Sequence, residues 1–322
     1  MLDNFIFSAN AILPLLIFTA LGFFLRRRVF KAEFFADIDR FIFKIALPAM
    51  LFSEISGCDI SELSDFTLVV FCCAGIVVIT LLVFVIVPLI IKDNARRGAV
   101  IQGISRSNFA ILGVPVAESL AGEGGAKSVL LIMPFAIVLF NALAVITLSV
   151  FAPKGEKQSP GTAALLIARS VATNPLIISS LLGLAFALLR AKAGIELPSF
   201  VVRTTERLAD TVYAMAVISL GAGITKEGFR GKISTAVVAS ICKTIIVPAI
   251  AITTAAALGF RGERIIAVFI LFGAPTAITS YIMAKNMKSD AELAGQILLV
   301  STAMCLFTLF AIIFIIKTAG LI

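Results

Sequence analysis

The stretch Asn108 to Leu120, NFAILGVPVAESL, lies in an apolar run long enough to cross a bilayer, yet it carries Gly113 and Pro115 two residues apart. Proline removes a helical hydrogen bond and clashes with the preceding turn, and a glycine inside a helix adds a further cost. Non-helical backbone at membrane depth is tolerated only where protein or a water-filled cavity surrounds it. The stretch therefore predicts an interrupted helix in the middle of a membrane span.

The composition indicates that lipid is the main solvent of this chain. Of its 322 residues, 60% are hydrophobic and 14% are charged, whereas a soluble domain has about 25% charged residues. The absence of histidine excludes His-based metal sites and His general bases, and no cofactor or metal site is expected. The net charge of +8 is scattered between apolar runs, which is typical of basic cytoplasmic loops and not of nucleic-acid binding. The chain is predicted to be an all-α polytopic membrane protein.

The apolar runs predict ten transmembrane helices, since roughly 20 apolar residues span the hydrocarbon layer. These spans cover about residues 5–25, 37–56, 66–91, 98–121, 127–151, 165–189, 200–222, 233–258, 264–286 and 291–316. The loops fall into two alternating sets, and the set that begins at Arg26–Arg28 holds roughly twice as many basic residues as the other. Basic loops mark the cytoplasmic side. Both termini are therefore predicted outside the cytoplasm, and the linker 152–164 inside it.

The two halves of the chain share landmarks at an almost constant distance. The pairs are Pro14 with Pro175 (175 − 14 = 161), Pro88 with Pro248 (248 − 88 = 160), and Gly113-x-Pro115 with Gly273-x-Pro275 (273 − 113 = 160). Such recurrence predicts two repeats, residues 1–151 and 165–322. Each repeat has five helices, an odd number, so the two enter the membrane with opposite orientations. We therefore expect a five-plus-five inverted repeat in which spans 4 and 9 are broken and cross.

Broken helices in corresponding places of two repeats indicate a transport site near the middle of the membrane. Each proline is expected to begin a second half-helix, where its missing N–H costs nothing. The free N–H groups and partial positive charge of that helix start suit an anionic ligand. Unwound carbonyls could equally receive a cation, and a pair of purely structural kinks is the remaining alternative.

Four stretches of the sequence resemble the auxin efflux carrier family, which covers plant auxin exporters and bacterial permeases linked to malate or malonate. They are IDRFIFKIALPAMLFSEIS (38–56), SNFAILGVP (107–115), NPLIISSLLGL (174–184) and PTAITSYIMAKNM (275–287). The resemblance implies ten helices, with a scaffold of spans 1, 2, 6 and 7 that commonly dimerises. It also implies a transport unit of spans 3–5 and 8–10 that moves as an elevator. The central linker has only about a dozen residues, which favours the bacterial permease branch and a bacterial cytoplasmic membrane.

Polar residues near the predicted breaks are the candidates for binding an organic anion. Asn108 matches the crossover asparagine of the family, and its amide can donate to a carboxylate or to a neighbouring helix. The Arg106 guanidinium can bind a carboxylate with two hydrogen bonds, pair with Glu118, or reach the inner surface. The predicted substrate-binding residues are Arg106, Ser107, Asn108, Gly113, Pro115, Pro275 and Thr276, and the resemblance adds Leu47 and Leu176 as an apolar wall on the scaffold.

Further charged residues are candidates for ion coupling or charge balance, because a charge inside a membrane span costs on the order of 3 kcal/mol. Lys243 lies five residues before Pro248 and could neutralise helix ends, bind the anion or exchange a proton. Glu118 follows the break in span 4 and is a predicted coupling carboxylate. Asp210 in span 7 and Lys44 in span 2 are interpreted first as a polar pair at a helix or dimer interface.

These patterns favour a secondary transporter of small organic anions, either a dicarboxylate such as malate or malonate or an auxin-like aromatic acid. A sodium-coupled organic-anion symporter of the bile-acid type is the alternative, which is weakened because GAPTAITSYIMA at the second break contains no carboxylate. A membrane-embedded enzyme is disfavoured because no catalytic or Walker-type motif is present. The expected partners are the anion, the bilayer, a second copy of the chain and a coupled H⁺ or Na⁺, with no nucleic acid.

Overall fold

The computed structural model describes residues 2–58, 65–152, 160–224 and 226–322 of the chain. Within these ranges the regular structure is helical throughout, with no β-strand. Six helical segments in them are long and apolar enough to cross a membrane: Phe66–Ile90, Gly113–Val150, Pro175–Ala193, Lys232–Ala257, Glu263–Asn286 and Ala291–Thr318. The chain is therefore an all-α polytopic membrane protein, as its composition predicts.

The first half of the chain begins with long helices and ends in an interrupted one. Its described helices are α1 (Leu2–Arg28), α2 (Ala32–Phe41), α3 (Leu47–Gly57), α4 (Phe66–Ile90), α5 (Asn94–Ser105) and α6 (Phe109–Val150). A π-helical turn, Ile42–Ala46, joins α2 to α3. Inside α6, Ala121 and Gly122 leave helical geometry, and the φ of +62° at Gly122 is one that an L side chain rarely adopts. This interruption falls between predicted spans 4 and 5.

The second half of the chain follows a similar order. Its described helices are α7 (Pro160–Ala172), α8 (Pro175–Ala193), α9 (Ser199–Ala222), α10 (Lys226–Ile241), α11 (Val247–Ala257), α12 (Glu263–Gly273), α13 (Ile278–Asn286) and α14 (Ala291–Thr318). A second π-helical turn, Cys242–Ile246, joins α10 to α11. Helix α7 begins inside the predicted linker 152–164, of which residues 153–159 lie outside the described part of the chain.

Short polar side chains fix where several helices begin. Asp65, Asp93 and Asp290 each accept a hydrogen bond from the backbone N–H three residues later, in the first turns of α4, α5 and α14. Asn174 accepts one from the Leu176 N–H at the start of α8. Such caps contribute about 1 kcal/mol each. They explain why these helices start directly after their short polar loops.

Helices α5 and α12 each end in a break, but the prolines do not lie where the sequence predicted. The first break covers residues 106–108 and α6 resumes at Phe109, so Pro115 lies inside α6. The second break covers residues 274–277 and contains Pro275, whereas α13 begins at Ile278. The expectation that each proline begins a half-helix is therefore wrong. The first break falls instead in the polar run 105–108, because Ser and Asn side chains compete for backbone hydrogen bonds.

The spacing between similar helix ends also differs from the predicted 160 or 161 residues. Val150 and Thr318, which end α6 and α14, are 168 residues apart (318 − 150 = 168). Gly57 and Ala222, which end α3 and α9, are 165 residues apart (222 − 57 = 165). The prolines used as landmarks therefore do not occupy equivalent positions along their helices. Apolar sequences match easily at a nearby shift, which is how the smaller offset arose.

Helices α1 and α9 approach each other through glycines. A Cβ added at Gly22 would lie 1.9 Å from the Ile218 carbonyl oxygen, and a Cβ added at Gly221 would lie 2.0 Å from the Thr19 carbonyl oxygen. Small residues permit this close backbone approach, which is a common way for membrane helices to associate. The contact between α1 and α9 leaves no room for a side chain at either glycine.

We expect Gly221→Ala to lower the thermal stability of the purified protein, because the new methyl group would push α9 away from α1. Overpacking of this kind typically costs about 1–3 kcal/mol. The measurement is the midpoint of thermal unfolding in detergent. Gly57→Ala is the matched control, since a Cβ at Gly57 meets nothing within 4 Å. Equal midpoints for the two variants would contradict the close approach.

Candidate functional site

The two breaks contact each other directly. Three hydrogen bonds join them: Asn108 N–H to the Pro275 carbonyl (2.8 Å), Thr276 Oγ1 to the Gly103 carbonyl (2.6 Å) and Gln102 Nε2 to the Ser280 carbonyl (2.9 Å). Unpaired backbone groups are costly in a bilayer. Each interrupted helix therefore supplies part of the hydrogen bonding that the other one has lost.

The helices that follow the breaks begin at one shared cleft. Phe109, the first residue of α6, and Ile278, the first residue of α13, both line it. The residues before them, Asn108 and Ala277, make no side-chain cap to the free N–H groups. Each helix start carries roughly half a positive charge. Two such partial charges therefore converge on the same cleft.

This cavity, which we call the break cleft, encloses about 610 Å³ of free space including its open mouth. Its lining residues come from the breaks and the helix starts (106–110 and 277–279), from α6 (Ile137, Phe140 and Asn141), from α3 (Met50, Leu51 and Glu54) and from α9 (Val212 and Tyr213). The α3 and α9 side chains form the wall opposite the breaks. The cleft thus combines apolar and aromatic walls with a few polar groups, which is the usual make-up of a small-molecule site.

Arg106 lies in the first break and brings a cation to the break cleft. The residue is 5% exposed. Its Nη2 donates to Asn141 Oδ1 at 2.9 Å and its Nη1 lies against the Met283 sulfur, whereas its Nε has no hydrogen-bond partner. Arg106 makes no ion pair with any carboxylate in the described part of the chain. A buried cation without a counter-ion is costly, so the arrangement favours an anion in the cleft.

Neutral polar groups next to Arg106 also lack partners. Ser107 Oγ and Thr279 Oγ1 are buried, line the cleft and make no hydrogen bond to the residues that the structure describes. The side-chain amide of Asn108, which is partly exposed to the cleft, makes none either. Buried polar groups are nearly always hydrogen-bonded in folded proteins. The unused donors around the cleft are therefore available to a ligand.

Lys243 lies beside the second break but outside the break cleft. It is fully buried, and its Nζ donates to the Phe272 carbonyl at 3.1 Å, at the end of α12. A helix C-terminus carries a partial negative charge, which an ammonium group stabilises. This position agrees with a role in balancing the helix end, one of the three roles considered for Lys243.

Several predicted site residues lie away from the break cleft. Pro115 and Glu118 are exposed on α6, so Glu118 does not pair with Arg106. Gly113 is packed, since a Cβ there would lie 2.8 Å from Ile270. Leu47 and Leu176 are fully buried but do not line the cleft. The residues of the second break, Pro275 and Thr276, hold the two breaks together without lining the cleft either.

The two charged residues assigned to a scaffold interface do not form a pair with each other. Asp210 is exposed and lies 4.0 Å from Arg207 on its own helix. Lys44 is exposed on the π-helical turn between α2 and α3. Their side chains therefore remain on the outer surface of the described structure.

Sequence reasoning missed or undervalued three residues of the site. Asn141 is a lone amide in the apolar run PFAIVLFNALAVITL, a signal that was present in the sequence. Glu54 and Tyr213 reach the cleft because of how α3 and α9 are rotated, which an apolar helix pattern does not reveal. Together with Arg106 and Asn108 they make up the polar part of the cleft.

An ion pair joins two other helices far from the break cleft. Lys285 of α13 pairs with Asp39 of α2, whose carboxylate is buried, and Lys285 Nζ also lies 3.2 Å from the Tyr281 hydroxyl. Asp39 and Glu54 are 15 residues apart on the continuous α2–α3 segment, or about 22 Å at 1.5 Å per residue. The ion pair and the cleft therefore lie toward opposite ends of that segment.

Comparison with known proteins agrees with this architecture. The family described as membrane transport protein matches residues 7–313. "Putative malonate transporter" of Rhizobium meliloti is 25% identical over 315 residues, which cover 96% of either chain. Auxin efflux carrier component 8 of Arabidopsis thaliana is 23% identical and covers 88% of this chain and 90% of its own.

An uncharacterized transporter of Methanocaldococcus jannaschii is similar to a comparable extent. It is 22% identical to this chain, with 93% of this chain and 96% of the relative covered. The matched family and the named relatives are transporters, which confirms the prediction that the protein is not an enzyme. The chain belongs to the auxin efflux carrier family of membrane transport proteins.

Proposed function

We propose that the protein is a secondary transporter of small organic anions and that it binds a substrate carboxylate in the break cleft. One observation carries this proposal. The starts of α6 and α13 and the buried guanidinium of Arg106 meet in a cleft that offers them no carboxylate within hydrogen-bond or ion-pair distance. A carboxylate placed there would accept from the free Nε of Arg106 and from the amide of Asn108.

The substrate class follows from the size and chemistry of the cleft. Aromatic rings of Phe109, Phe140 and Tyr213 line it beside the polar groups. Such a cleft suits a compact acid with a short carbon chain or an aromatic ring. The names of the relatives, which mention malonate and auxin, agree with acids of this kind.

The proposed architecture is a five-plus-five inverted repeat of ten spans with a crossing between spans 4 and 9. Helix ends that recur 165–168 residues apart, and breaks at the ends of both α5 and α12, support it. The basic loops favour termini outside the cytoplasm of a bacterial cell. The exposed side chains of Lys44 and Asp210 suit a homodimer contact through the scaffold, spans 1, 2, 6 and 7.

Elevator movement of the remaining spans past this scaffold would move the cleft between the two sides of the membrane. The break cleft lies between α3 and α9 on the scaffold side and the broken helices on the other. The Asp39–Lys285 ion pair connects the same two units toward the opposite end of α2–α3. The pair would hold the inner side closed while the cleft is open to the outside, and it would separate in each cycle.

Sodium coupling of the bile-acid type is disfavoured by Lys243. Its ammonium group already occupies the C-terminal end of α12, where a bound cation would meet carbonyl oxygens. The described residues also contain no group of three or more Cys, Asp or Glu side chains placed to hold a metal ion. The site therefore supports anion binding without Na⁺.

We expect organic-anion binding to be independent of Na⁺. The measurement is the thermal stabilisation of the purified protein by malonate or indole-3-acetate, with all Na⁺ replaced by choline. Unchanged stabilisation is the expected result, because Lys243 supplies the cation permanently. Loss of stabilisation without Na⁺ would restore the symporter alternative.

We expect Asn141→Asp to weaken organic-anion binding by at least about tenfold, equivalent to 1.4 kcal/mol. The new carboxylate would lie at the position of Asn141 Oδ1, 2.9 Å from Arg106 Nη2, and would compete with the substrate for its charge. The ligand-free protein should at the same time become more stable to heat. Calorimetric titration and thermal unfolding check the two effects.

The control for this variant is Asn141→Leu, which removes the hydrogen bond without adding a charge. It should reduce the stability of the protein, since Arg106 loses a partner, but should leave Arg106 available to the anion. An Asn141→Asp protein that binds as tightly as the wild type would show that Arg106 does not hold the substrate.

We expect Asp39→Lys and Lys285→Asp each to reduce thermal stability and anion exchange in proteoliposomes, and the double charge swap to restore both in part. Either single change puts like charges at a contact between α2 and α13. The swap of the exposed Asp37–Arg40 pair on α2 is the control and should have little effect. A double swap as impaired as the worse single variant would argue against the proposed inner contact.

A further inference from the structure

The break cleft contains a second charge that the proposed function does not use. Glu54 of α3 lines the cleft on the wall opposite the breaks. It is partly buried, and its carboxylate forms no ion pair or side-chain hydrogen bond with the residues that the structure describes. The cleft therefore has one positive end, at Arg106, and one acidic end, at Glu54.

The groups around Glu54 do not neutralise its carboxylate. Tyr213 of α9 faces the cleft beside it, and Arg106 lies on the opposite wall. Arg190 of α8 donates instead to the carbonyls of Gly57 and Cys58, with Nη2 3.1 Å and 2.5 Å from the two oxygens. The only cation that lines the cleft among the described residues is therefore Arg106, across the space that a ligand would fill.

A ligand that spans this cleft meets opposite demands at its two ends. Its carboxylate is attracted to Arg106 and to the starts of α6 and α13. A second ionised carboxylate would approach Glu54 and be repelled, because like charges interact strongly in a water-poor site. A hydroxyl, an N–H or a protonated carboxyl group would instead donate a hydrogen bond to Glu54.

We infer that Glu54 determines the specificity of the cleft: it selects organic acids that present one carboxylate to Arg106 and Asn108 and a hydrogen-bond donor to Glu54. This inference rests on the proposed function of the cleft. A dicarboxylic acid then binds as its monoanion, with the remaining proton shared between its second carboxyl group and Glu54. Transport of such an acid carries that proton with it.

The test compares pairs of acids that differ only at the end facing Glu54. Malonate and malonamate have nearly the same shape, but malonamate carries an amide N–H group where malonate carries a second carboxylate. Indole-3-acetate and 1-methylindole-3-acetate differ by the indole N–H donor. Affinities for the full-length protein in lipid nanodiscs are measured by calorimetric titration at pH 7.5.

The wild type should bind malonamate at least about tenfold tighter than malonate, since like-charge contacts cost several kcal/mol when desolvated. It should also prefer indole-3-acetate to its methylated analogue. Glu54→Gln, which keeps the shape of the side chain, should bring malonate to within about threefold of malonamate or reverse the order. Glu118→Gln removes the same charge from the exposed face of α6 and should leave both preferences unchanged.

A measurement of pH dependence separates this role from a merely structural one. Between pH 6 and pH 8 the affinity of the wild type for malonate should fall more steeply than that of Glu54→Gln, because only the wild type gains a repelling charge. The protonation of malonate itself is common to both proteins and cancels in their ratio.

The remaining outcomes overturn the inference in distinguishable ways. If the wild type binds the acids but its preference survives Glu54→Gln, or if Glu118→Gln changes it equally, Glu54 does not set specificity while the organic-anion site stands. If none of the four acids binds to the wild type or to either variant, the proposed organic-anion site fails as well, and the inference fails with it.

Discussion

The hydrogen bonds between the two breaks are the constraint on which the site depends. A helix interrupted in hydrocarbon exposes carbonyl and N–H groups that water cannot reach, and each unpaired group costs several kcal/mol. Here the Asn108 N–H donates to the Pro275 carbonyl and the Thr276 hydroxyl donates to the Gly103 carbonyl, so neither break is satisfied alone. Because these bonds fix the breaks against each other, they also fix the starts of α6 and α13 at one cleft. The position of the binding groups thus follows from backbone hydrogen bonding before any substrate is considered.

Charge is distributed around the breaks according to the direction of the helices. Arg106 adds a full positive charge where two helix starts already present partial ones, whereas Lys243 lies at the end of α12, where carbonyl oxygens are exposed. The first arrangement concentrates positive potential and leaves it uncompensated among the described residues, as a reversible anion site requires. The second compensates a negative helix end permanently and therefore contributes to structure. Two buried cations in neighbouring helices hence have different roles because of the helix end that each one meets.

The sequence was sufficient for the helices but not for the way they face one another. Long apolar runs and short polar loops placed most helix ends within a few residues, since both are local properties. The polar run 105–108 also predicted a break in the correct span, although Pro115 was given too much weight. Whether Glu54 or Glu118 reaches the cleft depends on the rotation of α3 and α6 against their neighbours, which apolar surroundings on all sides of a helix do not encode. The sequence likewise contained Asn141, but its partner Arg106 is 35 residues earlier and only the fold brings the two together.

The continuous segment α2–α3 links the two ends of the proposed transport path. It carries Asp39 toward one end and Glu54 toward the other, and both face the helices that bear the breaks. When Asp39 holds Lys285, the inner ends of the two units are in contact, so the space left between them is found at the other end, beside Glu54. A rigid displacement of the broken helices toward the inner side would have to separate Asp39 from Lys285 and carry Arg106 away from Glu54 along the same segment. Binding of an acid that satisfies Arg106 removes the cost of moving that buried charge past the apolar side chains of Met50 and Leu51, which lie on the wall between them. The substrate thus acts as the counter-ion that makes the movement of an otherwise unpaired arginine energetically feasible.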